Sequence, residues 1–149
     1  MPVELVRRGS GRKYPVRWFK KIALAVLDLA GRKEVELSLA LIGNREMQEL
    51  NARYRHKDYP TDVLSFPSGS DLPQATALLG DVIISVEKAA QQAKDRRHTL
   101  DHEMLTLLIH GVVHLLGYDH ERSAKDARVM KRVERRIYRR LCDRGLIKL

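Results

Sequence analysis

The stretch Leu107-Leu-Ile-His110-Gly-Val-Val-His114-Leu-Leu-Gly117-Tyr-Asp-His120 decides how this chain is built. Leu107, Leu108, Ile109, Val112, Val113, Leu115 and Leu116 wrap most of one helix, and a helix that is apolar nearly all round lies inside a protein. His110 and His114 interrupt that apolar surface. Residues four apart on an α-helix lie about 40° and one turn apart, so both imidazoles share a face. His120, six residues further on, would point well away if the helix continued. Gly117 removes the difficulty, because glycine readily takes the left-handed conformation that ends a helix and turns the chain. His120 can then approach from a third side. Three neutral imidazoles suit one zinc ion and leave a fourth position open, as in catalytic rather than structural zinc sites. Histidines satisfied by hydrogen bonds on a buried helix are the competing reading. It accounts for a lone histidine better than for three at ligand spacing around a helix stop.

The spacing His-x3-His-x5-His is shared with metzincin proteases, in which a glutamate follows the first histidine and serves as base. Gly111 stands at that position here. The chain therefore has the metal cage without the base, which disfavours peptide hydrolysis.

Outward from this helix the pattern is mixed. Val3 to Arg7 reads as a first strand. Pro15 opens a helix with Val16, Phe19, Ile22, Ala23, Val26 and Leu27 on one side, stopping at Gly31. Val35, Leu37, Leu39 and Leu41 alternate as a half-buried strand. Asn44 is expected to cap a helix that presents Met47, Leu50 and Tyr54. Asp62 to Phe66 and Asp81 to Val86 read as strands joined by a polar loop over residues 67–76, with mobility expected at 68–78. Glu87 to Arg97 reads as a polar helix, Thr99 or Asp101 caps the central helix, and Ser123 starts the last one. The expectation is one α+β domain over residues 1–149, with about four strands in a small sheet, about five helices and a metal site on the central buried helix.

Charge points to a polyanionic partner. Lys and Arg number 28 against 19 Asp and Glu, a net charge of +9. Residues 121–149 hold 11 Lys/Arg and 4 Asp/Glu, so +7 of that excess sits in the last helix and tail. A solvated arginine-rich face is the plain reading. Contact with a polyanionic partner is the sharper one, and for a nucleic acid it implies steeply salt-dependent binding. A single cysteine, Cys142, cannot form an internal disulfide, which fits a reducing cytoplasm. No signal peptide or uninterrupted membrane span is read in the chain, so a cytoplasmic protein without membrane contact is expected.

Several motifs together resemble one family. His110-Gly-Val-Val-His-Leu-Leu-Gly-Tyr-Asp-His120 is similar to the signature of the bacterial YbeY endoribonucleases. Asn51-Ala-Arg-Tyr-Arg55 with Tyr59-Pro-Thr-Asp-Val-Leu-Ser-Phe-Pro67 resembles its central block. Leu79-Gly-Asp-Val-Ile-Ile-Ser85 resembles its second strand block, and Met130 and Glu134 fall where its last helix has similar residues. The resemblance implies an endoribonuclease that prefers single strands, depends on one zinc ion, and acts in ribosomal RNA maturation (the 16S 3′ end) and ribosome quality control. It implies RNA as partner, ribosome association and no DNA specificity. It further implies His110, His114 and His120 as metal ligands and Arg55 as the functionally important arginine beside them. Read alone, Arg55 is a surface arginine late in a helix. Its planar fork does match two phosphate oxygens. Arg53, Lys57 and Ser65 are expected to help hold the RNA backbone.

Other residues carry weaker signals. Asp119 either bonds a ligand imidazole or shapes the turn, and both stay open. Tyr118 lines the mouth or packs on the core. Asp81 reads as a loop cap, and Glu103, seven residues before His110, as a possible support for a ligand. His56, His98 and His102 have no ligand spacing, and Met130 reads as core. Two alternatives of other classes stand beside the nuclease: a zinc peptidase-like metallohydrolase, and a non-catalytic ribosome-associated factor whose metal staples the fold.

Overall fold

The structure is a computed structural model that describes residues 3–32, 34–68 and 78–147. The chain runs β1 (Val3–Arg7), a 3-10 turn (Gly9–Lys13), α1 (Val16–Leu29), β2 (Glu36–Ile42), α2 (Asn44–Arg55), β3 (Val63–Pro67), β4 (Leu78–Ser85), α3 (Val86–Asp95), α4 (Leu100–Leu115) and α5 (Ala124–Asp143). Among the described residues this is an α+β fold of four strands and five α-helices, as the sequence pattern implies. The sheet order is β1-β2-β4-β3. β1 and β4 flank β2 in parallel, and β3 closes the far edge antiparallel to β4.

The central helix is α4. Met104, Leu105, Leu107, Leu108, Ile109, Val112, Val113 and Leu115 are all buried. Full burial of each such aliphatic side chain is worth about 1.5–3 kcal/mol, so the helix is held far more firmly than its propensity alone would hold it. α4 packs against α1, α3, α5 and the β3–β4 side of the sheet. Phe19, Ile22, Ala23, Val26 and Leu27 of α1 fill the same core. At its start, the buried Tyr14 hydroxyl donates to Asp101 Oδ1 at 2.6 Å, tying the chain before α1 to α4.

Gly111 lies where α4 meets the sheet. A Cβ at this position would meet Val82 Cγ1 at 2.7 Å and Ser65 Oγ at 3.2 Å. The glycine is thus a packing requirement, and the place of the metzincin glutamate is filled by the sheet. Gly117 behaves as its sequence context implies: α4 ends at Leu115, and Gly117 takes φ +104° to turn the chain.

Some boundaries differ from expectation. Gly43, not Asn44, is the N-cap of α2. Asn44 is the first helical residue, and its side chain accepts a hydrogen bond from Ser85 Oγ at 2.6 Å. Its short polar side chain serves a tertiary contact instead of the local cap. β4 begins at Leu78, so Asp81 lies inside a strand opposite Phe66 and is no loop cap. Val86 opens α3 because Ser85 caps it, accepting from Lys88 N–H at 3.2 Å. Thr99 caps α4 and Ser123 caps α5 through their hydroxyls. Most of the expected loop over 67–76 lies outside the described residues, as does most of the mobility expected at 68–78. Among the described residues no helix is long and apolar enough to cross a membrane.

Candidate metal centre

His110 and His114 project from the last turns of α4 into a cleft of about 530 Å³. Its other walls are Arg55 at the end of α2, residues Thr61 to Phe66 leading through β3, and Asp119, His120 and Glu121 beyond the Gly117 turn. Both α4 histidines are held by Nδ1. His110 Nδ1 donates to Glu134 Oε2 of α5 at 3.0 Å, and His114 Nδ1 donates to the Tyr118 carbonyl at 3.0 Å. A carboxylate and a carbonyl can only accept, so in the neutral rings the proton sits on Nδ1 and each Nε2 keeps its lone pair. That is the tautomer a metal-ligating imidazole needs.

The His110 and His120 rings stand 5.3 Å apart between centroids. His120 is the looser of the two, its side chain 48 % exposed and its Nε2 3.9 Å from Glu121 Oε1. As the side chains are placed, no three His, Cys, Asp or Glu groups among the described residues converge closely enough to enclose an ion. The chemistry of the donor set nevertheless fits zinc: three imidazoles border one cleft, two of them locked with Nε2 free.

The electrostatics of His110 are set by acids. The Glu134 hydrogen bond raises its pKa above the ordinary value, against the lowering effect of burial, and the charges of Glu134 and Asp62 raise it further. Asp62 is itself fixed. Its Oδ1 accepts from Val63 N–H at 2.8 Å and its Oδ2 from Gln92 Nε2 at 3.1 Å. The exposed Asp119 carboxyl lies below its usual range, chiefly through the hydrogen bond it accepts from Glu121 N–H at 2.9 Å. Asp119 therefore shapes the turn rather than bonding a ligand ring.

A family model described as Endoribonuclease YbeY matches residues 10–142. The chain belongs to the endoribonuclease YbeY family. It is 41 % identical over 136 residues to a protein named Endoribonuclease YbeY from Aquifex aeolicus, covering 91 % of this chain and 88 % of that one. A YbeY of the same description from Syntrophotalea carbinolica is 38 % identical over 147 residues, covering 97 % of this chain and 98 % of its own. The solution structure of a Thermotoga maritima protein shares the fold with a TM-score of 0.59 at 24 % identity, over 99 % of this chain and 96 % of that one.

In this YbeY-family chain the cleft brings together His110, His114, His120, Arg55 and Ser65. Arg55 Nη2 lies 3.7 Å from Glu121 Oε1, a loose pair between half-exposed and exposed side chains. Ser65 donates to the Gly111 carbonyl at 3.3 Å while lining the cleft. Arg53 and Lys57 are not brought in. Arg53 is about 200° from Arg55 on the helix and lines a separate surface hollow with Arg45 and Glu46. Lys57 is exposed beyond the left-handed His56 that ends α2.

Glu103 also lies elsewhere. It is fully buried and binds Arg96 Nη1 at 2.9 Å and His98 Nε2 at 2.6 Å, not His110. His98 and His102 belong to that separate cluster, His102 meeting the Tyr138 hydroxyl at 3.3 Å. Tyr118 packs against the core, and Met130 is core at 1 % exposure. Glu134, Asp62 and Glu121 are the site residues that local sequence reading passes over. For Glu134 a signal existed in the resemblance, which places it among similar residues of the family's last helix, although nothing in the local pattern ties it to His110.

Proposed function

We propose that this protein is a zinc-dependent endoribonuclease that cuts single-stranded segments of ribosomal RNA, acting in 16S 3′-end maturation and ribosome quality control in the cytoplasm. One domain over residues 1–149 carries the activity. The observation that carries the reading is the shared cleft: the Arg55 guanidinium and the three imidazoles line one concave surface in a chain of the endoribonuclease YbeY family. His110, His114 and His120 would hold one zinc ion. Zinc there supplies a Lewis acid for a phosphoryl oxygen and lowers the pKa of water to near neutrality.

The chain's own residues supply the rest. Glu134 and the Tyr118 carbonyl keep His110 and His114 protonated on Nδ1 and fix their rings. Arg55 can leave its loose Glu121 contact and present two parallel N–H groups to phosphate oxygens, where such a donor stabilises developing charge. Single-strand preference is supported by the aromatic side of the cleft. Tyr54, 56 % exposed, stands edge-on to Phe66 of the cleft wall with centroids 5.3 Å apart. Unstacked bases pack on such rings, whereas paired bases cannot reach them.

The test is cleavage of an end-labelled ribosomal RNA precursor by the wild type and a folded His114→Ala variant. Activity lost in the variant supports the reading. Equal cleavage by both would trace the activity to a contaminant and remove it. The peptidase alternative is opposed by Gly111, where Val82 leaves no room for a base.

A further inference from the structure

α5 carries a second surface that the cleft does not use. Its inner side is spent on packing, with Met130, Ile137 and Leu141 buried and Val133 and Tyr138 against the core. Its outer side presents Arg128, Lys131, Arg132, Arg135, Arg136 and Arg139, all exposed. At about 100° per residue these six cations fan across about 140° of the helix and run about 16 Å along it. Among the described residues none of the six is paired with a carboxylate. Arg122 and Arg144, at the two ends of the helix, do find partners in Asp119, Asp126 and Asp28. Unpaired like charges repel one another, so the face carries a standing cost that an external polyanion relieves.

We propose that this face of α5 is a docking surface for double-helical RNA, separate from the cleft that takes the scissile strand. The inference rests on the reading that RNA is the substrate. The breadth of the fan suits two phosphate rows bordering a groove better than one strand following a single ridge. Sites for single strands pair cations with stacking rings. No aromatic residue is exposed on α5 between Arg128 and Arg139, so bases find nothing to stack on there. Duplex RNA is recognised by shape and backbone, which is all this face offers. Insertion into a membrane is disfavoured because the apolar side of the helix is already buried in the core. The surface also adjoins the site. Lys131 and Glu134 are three residues apart on one flank, so the cations begin one turn from the carboxylate that holds His110. A stem held on α5 would thereby place an adjoining unpaired segment near the cleft.

The experiment measures binding of a blunt-ended RNA duplex by the full chain, by a variant with Arg128→Gln, Arg132→Gln, Arg135→Gln and Arg139→Gln, and by one with the same four arginines changed to lysine. Glutamine keeps the helix propensity at these exposed positions. The glutamine variant is expected to bind at least about tenfold more weakly at moderate salt, with the log–log salt slope reduced by about three to four. The lysine variant should bind like the wild type, and the glutamine variant should still cleave a short single strand within about twofold of the wild-type rate. Equal duplex binding by wild type and glutamine variant overturns the proposal. Tighter binding of polyglutamate or phosphatidylglycerol vesicles than of duplex RNA by the wild type also overturns it. Duplex binding is read without cleavage. A wild type that binds duplex through α5 but cuts no RNA would refute the proposed activity alone, and a nuclease whose glutamine variant still binds duplex would refute only the docking surface.

Discussion

Glu134 of α5 accepts the Nδ1 hydrogen of His110 of α4 at 3.0 Å, joining two helices across 24 residues of sequence. One hydrogen bond thereby fixes a ring orientation in the cleft and links the site to a helix with eight Lys/Arg against three Asp/Glu, +5 of the chain's net charge of +9. Carboxylates placed behind ligating imidazoles raise their basicity and are usually worth about 10- to 100-fold in metal affinity. Glu134→Ala should weaken zinc binding by that amount in a competition titration with a chromophoric chelator while the far-ultraviolet circular dichroism stays unchanged. Unaltered affinity would mean that Glu134 only packs.

The same pair predicts a pH dependence. His110 in the folded, metal-free protein has a pKa raised above the ordinary value of 6.5, first by the Glu134 hydrogen bond. A raised folded value means the charged pair stabilises the fold fully below about pH 6.5 and the contribution is lost as pH rises through the folded value. Melting of the metal-free protein should therefore fall between pH 6 and pH 8 more steeply in wild type than in Glu134→Gln. Zinc needs the neutral ring, so the stabilisation given by added zinc should grow over the same range. Parallel melting curves for the two proteins would remove the link.

Arg55→Ala is expected to leave zinc binding intact and to slow RNA cleavage by about 10²- to 10³-fold, the usual effect of removing one preorganised donor to developing charge. Arg55→Lys should recover only part of this, since a point charge does not replace a planar fork. The measurement is the single-turnover cleavage rate beside the bound zinc content. A variant as fast as wild type would reduce Arg55 to a surface residue.

Gly111→Ala tests the seam between α4 and the sheet. The added Cβ would lie 2.7 Å from Val82 Cγ1, so backbone or side chain must shift. Overpacking of this kind costs about 1–3 kcal/mol, read as a lowered urea midpoint with an unchanged slope. Val82→Ala in the same chain should restore part of the loss.

Glu103→Ala separates folding from activity. The fully buried carboxylate meets Arg96 and His98, and breaking buried pairs costs about 3–5 kcal/mol. The lower end applies because the Arg96 side chain is 55 % exposed. The variant should melt earlier and bind zinc with wild-type affinity, measured by thermal denaturation and chelator competition.

The contrast between Glu103 and Glu134 shows what a sequence can reveal. Helical periodicity placed the apolar stripe of α4, its two histidines and the Gly117 stop, because each is a relation within a few residues. Periodicity also put Glu103 on the His110 face, but it gives direction and not depth. Seven residues are about 10 Å along the axis, and at that distance Glu103 meets Arg96 and His98 in the chain just after α3 instead. Glu134 reaches His110 through the packing of α5 on α4, which no local pattern records. Asp62 read as a strand start, and only β3 lying beside α4 sets its charge near His110. Asn44 looked like a cap because its type suits one, yet Ser85 from β4 claims its side chain.

The fit of Gly111 against Val82 has an evolutionary side. Glycine and glutamate are neighbours in the genetic code, so a chain with this histidine spacing is continually offered the base that would turn its metal cage toward peptide bonds. Each such mutant meets the sheet before it meets a substrate. A side chain at that position has to displace Val82 before it can reach the cleft, so the tight seam between α4 and the sheet also bears on which chemistry the histidine site can acquire.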